Sequence, residues 1–183
     1  MNFSIIDKSW SLFLDRDGVI NVEKYDNYIL DWKEFRFYDG VKEALSVCAN
    51  KFGQIIVFTN QRGVGKGMHT DEDVLEIHDN MIKAIEKAGG RIDKVYYATS
   101  LENDHPLRKP NTGMGLLAKK DFPSIDFSKS IMVGNTSGDM RFGRNLGVAC
   151  NVLIHARLET DIHDPDIDTI FPDLLSFARA LAG

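Results

Sequence analysis

The sequence predicts an α/β fold, a Rossmann-like parallel sheet with helices on both faces, and three observations support that prediction. Short apolar runs recur along the chain, as expected for strands that are covered on both sides. Longer stretches with helical periodicity separate these runs. The 183 residues are 43% hydrophobic and 27% charged, which is typical of a globular protein. With no repeat and no long linker, we expect a single domain over residues 1–183.

Five strands are predicted, each a short apolar run. They lie at residues 10–14, 54–58, 92–97, 130–133 and 148–154. Helices are predicted between and after them. Residues 40–49 place Val41, Ala44, Leu45 and Cys48 on one helical face. Thr70 begins another helix and Gly89-Gly90 ends it. Shorter helices are expected at residues 113–120, 138–145 and 172–182. Such alternation indicates a parallel sheet, whose ligands bind at the carboxyl ends of the strands.

Charge and cysteine content restrict the class of protein. The formal net charge is −5 at pH 7, which disfavours a nucleic-acid partner. Two cysteines are too few for a disulfide framework or a four-thiolate zinc site. The apolar stretch near the N-terminus is too short to span a membrane, and nothing there resembles a signal peptide. We therefore expect a cytoplasmic protein without a membrane partner, and a monomer.

Two carboxylates, Asp15 and Asp17, come directly after the first predicted strand, and Gly18 follows them. Carboxylate oxygens suit Mg²⁺, and a carboxylate can attack phosphorus when cations neutralise the phosphoryl oxygens. A second carboxylate can then act as general acid and base. The same Asp-x-Asp-Gly pattern also occurs in solvated turns and calcium loops. The motif alone therefore leaves both interpretations open.

Polar residues also end the second predicted strand. Thr59 and Asn60 offer a hydroxyl and an amide to a phosphate oxygen. Side chains of this kind equally cap turns and helices. If the strands are parallel, however, these two residues lie at the same edge of the sheet as the two carboxylates.

The fourth predicted strand has candidates on both sides. Lys109, beside Arg108, precedes it and suits the charge of a phosphoryl group, although a solvated lysine explains it as well. Asn135 and Asp139 follow the strand as metal ligands or as caps of the next helix. The order of all these residues after apolar runs favours one combined site.

In chain order, these residues resemble the four motifs of the haloacid dehalogenase superfamily of phosphotransferases. The segments FLDRDGVIN, FTNQRGVGKGM, RKPNTGM and MVGNTSGDM are further similar to the D-glycero-D-manno-heptose 1,7-bisphosphate phosphatase and histidinol-phosphate phosphatase group. The resemblance covers roughly residues 11–150. It implies a Rossmann-like sheet without a large cap domain. It also implies a Mg²⁺-dependent phosphatase acting on a small phosphorylated metabolite.

The same resemblance implies roles for individual residues. Asp15 would be the nucleophile and Asp17 the general acid and base. Thr59 and Asn60 would hold the phosphate, and Lys109 would be a catalytic residue that neutralises it. Arg108 would contact the substrate. Mg²⁺ would be held by Asp15, by the Asp17 backbone carbonyl, and by Asn135 or Asp139.

Two positions depart from the family pattern. Asn135 stands where the fourth motif has an aspartate, which removes one negative charge from the predicted metal site. Residues 97–107 contain no cysteine, whereas the group commonly carries a zinc loop there. We therefore expect Mg²⁺ as the cofactor and no structural zinc.

The expected substrate is D-glycero-D-manno-heptose 1,7-bisphosphate. Histidinol phosphate and a 3′-phosphorylated nucleic acid are the alternative substrates. An alternative outside the enzymes is a protein that binds phosphate without hydrolysing it. Asn135, in place of the usual aspartate, is the reason to consider this alternative.

Some residues outside the motifs also carry expectations. His69 and His78 are expected at the surface, whereas Cys48 and Cys150 are expected inside the protein. Residues 155–168, which are rich in acidic side chains, are expected to form a solvated, mobile loop.

Overall fold

A computed structural model describes residues 1–25, 27–155 and 159–182 and contains one parallel sheet of six strands. The strands are β1 (Ser11–Leu14), β2 (Gln54–Asn60), β3 (Lys94–Ala98), β4 (Ser130–Gly134), β5 (Cys150–Leu153) and β6 (Thr169–Ile170), in the order β3-β2-β1-β4-β5-β6. The predicted fold class is confirmed. Strand β6 was not predicted, because two residues are too short for a periodic pattern.

Six α-helices accompany the sheet in the described residues. They are α1 (Val41–Lys51), α2 (Arg62–Gly65), α3 (Asp71–Glu86), α4 (Gly113–Asp121), α5 (Ser137–Leu146) and α6 (Leu174–Ala182). The predicted start of the last helix at residue 172 was wrong by two residues. The Asp173 side chain accepts a hydrogen bond from the Ser176 N–H at 2.7 Å, which caps the helix at its observed start.

The strands divide their side chains between two hydrophobic clusters. Leu12 and Leu14 of β1 belong to the cluster that contains the buried faces of α1, α3 and α6. Phe13 points into the other cluster, which contains those of α4 and α5. This alternation follows from the two-residue repeat of a strand. Helices therefore cover both faces of the sheet. Strands β1 and β4 are fully buried, and β2 is buried except at its two end residues.

The strand order places a crevice between β1 and β4. From β1 the chain continues to β2 and β3 on one side, and from β4 to β5 and β6 on the other. Ligands of open α/β sheets bind at such a reversal of strand order. Among the described residues, the connections 15–40 and 99–112 contain no helix or strand of two or more residues. No large cap domain therefore covers the crevice, as expected.

The two histidines were wrongly expected at the surface. His78 is buried because α3 turns it towards the sheet, where its Nε2 lies 3.1 Å from Nη1 of Arg16. His69 is also buried, beside Gly63. Cys48 and Cys150 are free and buried, which confirms the expectation for both.

The acidic segment 155–168 is only partly described, since residues 156–158 lie outside the described residues. Most residues of the part after them are exposed, as expected, although some contact the rest of the protein. Thr160 is buried, and Asp166 and Asp168 pair with Arg141 and Arg144 of α5. These contacts hold the segment against the protein at the edge of the crevice.

No helix in the described part of the chain has the length and apolar character needed to cross a membrane.

Candidate active site

A cleft of about 520 Å³ opens at the carboxyl ends of the central strands. It brings together seven of the eight residues predicted for the site: Asp15, Asp17, Thr59, Asn60, Arg108, Lys109 and Asp139. The eighth, Asn135, is fully buried beside the cleft-lining residues Glu23 and Thr136. The topology therefore gathers residues from four segments of the chain at one place.

Lys109 joins the two carboxylates at the floor of the cleft. Its Nζ lies 2.9 Å from Oδ1 of Asp15 and 2.5 Å from Oδ1 of Asp139. Only 5% of Lys109 is exposed, so these contacts form away from bulk water. Oδ1 of Asp15 also accepts the backbone N–H of Arg16 at 2.7 Å. The other carboxylate oxygen of Asp15 makes no hydrogen bond with the described residues and is the one left for a ligand.

Burial and neighbouring charges shift the pKa values at this floor. Burial and the Asp139 carboxylate raise the pKa of Asp15 to about 7, against the opposing effect of Lys109. For Lys109, burial alone would lower the pKa, but the carboxylates of Asp139 and Asp15 outweigh it and raise that pKa. The lysine is therefore a fixed positive charge in the cleft.

Asp17 is held by a network that the sequence did not reveal. The buried Arg16 guanidinium donates to both of its carboxylate oxygens, at 3.0 and 2.9 Å. Asn21 and Gln61 donate to the same carboxylate, each at 2.9 Å. Burial opposes ionisation of Asp17, yet Arg16 and these hydrogen bonds hold its pKa below the usual range. His78 in turn contacts the guanidinium group of Arg16 through its Nε2.

The end of β2 positions two further groups. The hydroxyl oxygen of Thr59 accepts a hydrogen bond from Gln61 at 2.9 Å, which leaves its own O–H to donate. The Asn60 amide donates to the Lys109 carbonyl at 3.1 Å and accepts the Lys109 N–H at 3.0 Å. Asn60 therefore holds the backbone of Lys109 in place through both hydrogen bonds. Its predicted contact with phosphate stays a prediction.

Asp139 has the geometry of a helix cap as well as of an ion-pair partner. Its Oδ2 accepts from the backbone N–H groups of Asn135 and Thr136 and from the Thr136 hydroxyl. Its Oδ1 accepts from Lys109. Both carboxylate oxygens are therefore engaged, which makes Asp139 a poor direct ligand for a metal ion.

Asn135 has the opposite character. Its N–H, its backbone carbonyl and its Nδ2 all have partners, namely Asp139, Thr160 and Glu23. Its Oδ1 is buried and has no hydrogen-bond partner among the described residues. A buried oxygen of this kind usually has a ligand, and an amide oxygen suits Mg²⁺.

Arg16, Glu23 and Gln61 are the residues at this site that sequence reasoning missed. Arg16 lies inside the first motif, between the two carboxylates, and that position was the available signal. Gln61 directly follows Thr59-Asn60. For Glu23 the sequence held no signal, because its partner Asn135 lies 112 residues further along the chain.

The segment without cysteines is held by hydrogen bonds to neighbouring residues. Asn111 donates to the carbonyl groups of Asn103 and His105. Arg62 of α2 donates to the carbonyl of Leu101 at 2.8 Å. Arg62 and Arg108 both line the cleft and are half-buried, so this segment also holds two cationic side chains there.

The chain is similar in sequence to a protein family and to phosphatases of heptose bisphosphates. Residues 12–171 match the family model described as polynucleotide kinase 3 phosphatase. The D-glycero-alpha-D-manno-heptose-1,7-bisphosphate 7-phosphatase of Campylobacter jejuni is 35% identical over 148 residues, which are 81% of this chain and 84% of that protein. The D-glycero-beta-D-manno-heptose-1,7-bisphosphate 7-phosphatase of Vibrio cholerae is 32% identical over 152 residues, 79% of this chain and 80% of that protein.

The fold also matches a solved structure. The D,D-heptose 1.7-bisphosphate phosphatase from B. bronchiseptica, solved with magnesium and phosphate, gives a TM-score of 0.84. The match covers 94% of this chain and 98% of that one, at 22% sequence identity. At that identity the match supports the fold.

Proposed function

Because the chain belongs to the polynucleotide kinase 3 phosphatase family of the haloacid dehalogenase superfamily, we propose that it is a Mg²⁺-dependent phosphatase of a small phosphorylated sugar. The proposed substrate is D-glycero-D-manno-heptose 1,7-bisphosphate, and the phosphate removed is the one at position 7. One observation carries the mechanism. Asp15 lies at the floor of the cleft with one oxygen held by Lys109 and the other open to a ligand.

Asp15 is the proposed nucleophile. Its open oxygen attacks the phosphorus, and the bond between phosphorus and the sugar oxygen breaks, which gives an aspartyl-phosphate and the dephosphorylated sugar. Lys109 and the Thr59 hydroxyl stabilise the negative charge on the phosphoryl oxygens. Since Lys109 is clamped by Asp139 and by Asn60, its charge needs no reorganisation during the reaction.

Asp17 is the proposed general acid and base. Because Arg16 and its hydrogen bonds lower the pKa of Asp17, the carboxylate first takes up a proton from solvent and then gives it to the leaving sugar oxygen. The resulting carboxylate then takes a proton from the water that attacks the aspartyl-phosphate, which releases phosphate and regenerates Asp15. Arg16, Asn21 and Gln61 stabilise the carboxylate form and so make the protonated form a stronger acid.

The residues present fit a Mg²⁺ ion with oxygen ligands. The carboxylate of Asp15, the backbone carbonyl of Asp17 and Oδ1 of Asn135 would hold it. The unpartnered, buried Oδ1 of Asn135 supports this set, whereas Asp139 has no oxygen to spare. When bound, Mg²⁺ neutralises charge on the phosphoryl group and orients it towards Asp15.

The arginines of the cleft support a bisphosphate substrate. Arg108 and Arg62 also line the cleft but are half-buried, whereas Asp15 and Lys109 are buried. An arginine can bind a phosphate in bidentate fashion. We assign Arg108 to the part of the substrate that is not hydrolysed, where the second phosphate would lie.

A panel of phosphate esters tests this function. It contains both anomers of heptose 1,7-bisphosphate, histidinol phosphate and a 3′-phosphorylated oligonucleotide, each with Mg²⁺ and with chelator. We expect Mg²⁺-dependent phosphate release with the highest kcat/KM on one heptose anomer. Preference for histidinol phosphate or for the oligonucleotide would overturn the substrate. No release from any ester by folded protein would instead indicate a protein that binds phosphate without hydrolysing it.

We further propose a single domain over residues 1–183, a monomeric state and a cytoplasmic location. The free thiols of Cys48 and Cys150 support a reducing compartment. Limited proteolysis, sedimentation and cell fractionation test the three statements in turn.

A further inference from the structure

The Asn135 amide is oriented by a carboxylate from a distant part of the chain. Its Nδ2 donates to Oε1 of Glu23 at 2.9 Å. Since a carboxylate only accepts hydrogen bonds, this contact fixes which end of the amide faces Glu23. The Asn135 backbone is fixed as well, by Asp139 at the N–H and by Thr160 at the carbonyl.

Gly18 closes the other side of the amide. A Cβ at this position would lie 1.9 Å from Nδ2 and 2.9 Å from Oδ1 of Asn135. The φ angle of Gly18 is +86°, a conformation that suits glycine. The backbone after the two carboxylates therefore packs directly on the amide. The amide cannot rotate without breaking its contact with Glu23.

Among the residues that the structure describes, this arrangement leaves one polar atom of Asn135 without a hydrogen-bond partner, the buried Oδ1. An unpaired buried oxygen destabilises a protein unless a ligand satisfies it. Glu23 itself lines the cleft together with Asp15 and Asp17. The Nδ2 end of the Asn135 amide therefore faces Glu23, and Oδ1 is the end left for a ligand.

We propose that Glu23 is a positioning residue of the metal site, which orients the Asn135 amide so that Oδ1 is its metal ligand. This inference rests on the proposed function, since it concerns the same Mg²⁺ ion. It explains how an asparagine serves at the first position of the fourth motif. It also gives Glu23 a role that can be measured without turnover.

Magnesium titration by calorimetry and thermal unfolding without metal test the inference on three variants. Glu23→Gln can donate as well as accept a hydrogen bond, so it no longer fixes which end of the Asn135 amide faces it, and we expect Mg²⁺ affinity to fall about tenfold or more. Asn135→Asp places two carboxylates in contact, so we expect a lower Tm without metal and a larger Tm increase on adding Mg²⁺. The double variant exchanges the two groups. It should recover the Tm of the unmodified protein without metal, and most of its Mg²⁺ affinity.

Glu43→Gln is the matched control, because this exposed glutamate lies outside the cleft and its loss removes the same charge. We expect its Mg²⁺ affinity to be unchanged. The inference is overturned if Glu23→Gln binds Mg²⁺ as tightly as the unmodified protein, or if the double variant is as unstable as Asn135→Asp. An unmodified protein that binds no Mg²⁺ at all would overturn the proposed cofactor, which is a separate result.

Discussion

The ammonium group of Lys109 lies 2.9 Å from Oδ1 of Asp15, in a cleft floor where both residues are largely buried. The contact assigns different tasks to the two oxygens of Asp15. One is neutralised by the lysine, and the other faces the space where a phosphate would bind. The contact does not fully offset burial and the nearby Asp139, since the pKa of Asp15 is still raised to about 7. The proposed nucleophile is thus held at a cost to stability, as is common at active sites.

Replacing Asp15 with Asn should abolish turnover and stabilise the protein without metal. The raised pKa means that the folded protein resists ionisation of Asp15, while the unfolded chain does not. The penalty grows as pH rises from about 4 to about 7. We therefore expect the variant to gain on the order of 2 kcal/mol at pH 8, or about 5 °C in Tm.

Thermal unfolding of both proteins at pH 5 and pH 8, with chelator present, measures this effect. The gain should be smaller at pH 5, where the Asp15 carboxyl of the unmodified protein is mostly protonated. A variant that is less stable at both pH values would show that the carboxylate stabilises the cleft. Residual phosphatase activity would argue against Asp15 as nucleophile.

Replacing Asp17 with Asn should lower kcat by about 100- to 10,000-fold, because proton transfer to the leaving group is lost. The Kd for Mg²⁺ should change little, since the proposed ligand is the Asp17 backbone carbonyl. Stability should fall by about 3 kcal/mol, because the buried Arg16 loses its carboxylate partner.

Asp79→Asn is the control for this loss of stability. Asp79 forms an exposed pair with Lys83 on α3, so its replacement should cost less than about 0.5 kcal/mol. Steady-state kinetics, Mg²⁺ titration and denaturant unfolding give the three readouts. Equal losses of stability in the two variants would contradict the network around Arg16.

Gly18→Ala should displace the Asn135 amide and weaken Mg²⁺ binding about tenfold or more. The new Cβ would lie 1.9 Å from Nδ2 of Asn135, so one of the two must move. Gly67→Ala is the matched control. Gly67 also has a positive φ, +68°, but nothing lies within 4 Å of the position of its Cβ. It should therefore show only the backbone cost, about 1 kcal/mol, with Mg²⁺ affinity unchanged. Similar Mg²⁺ affinities of Gly18→Ala and Gly67→Ala would show that Mg²⁺ binding does not depend on the position of the Asn135 amide.

His78 should make the protein sensitive to mild acid. Burial and the neighbouring Arg16 lower the pKa of His78 to about 3, far below that of an exposed histidine. A histidine with a lowered pKa contributes fully above about pH 6.5, and its contribution is lost as pH falls towards 3. Between pH 7 and pH 5 it should therefore reduce the free energy of unfolding by about 2 kcal/mol.

His78→Gln keeps an acceptor for Arg16 but does not titrate. Denaturant unfolding at pH 7 and pH 5 should show a smaller difference for this variant than for the unmodified protein. If the free energy of unfolding changed equally between pH 7 and pH 5 in both proteins, His78 would not be kept neutral by its contact with Arg16.

Much of the site could be predicted because the sheet is parallel. Asp15 and Asn135 directly follow β1 and β4, and Thr59 is the penultimate residue of β2. In a parallel sheet those strand ends meet at one edge. Chain position alone therefore placed them together. The carboxylates and the lysine were then identified from the chemistry that they share.

Contacts between side chains could not be predicted in the same way. The pairing of Glu23 with Asn135 and the clamp of Asn60 on Lys109 join loops that are far apart in sequence. No periodicity encodes such pairs. The expectation that His78 lies at the surface failed for a related reason. A polar residue on the inward face of a helix is buried only if another buried group pairs with it. For His78 that group is Arg16.

Trapping the covalent intermediate tests the central claim most directly. The protein is mixed with Mg²⁺ and heptose 1,7-bisphosphate that carries a radioactive phosphate at position 7, and is quenched in acid during turnover. We expect an acid-stable, hydroxylamine-sensitive label on the peptide that contains Asp15. The label should be absent with chelator and in the Asp15→Asn variant. Turnover without any label on Asp15, or a label on another residue, would contradict the account.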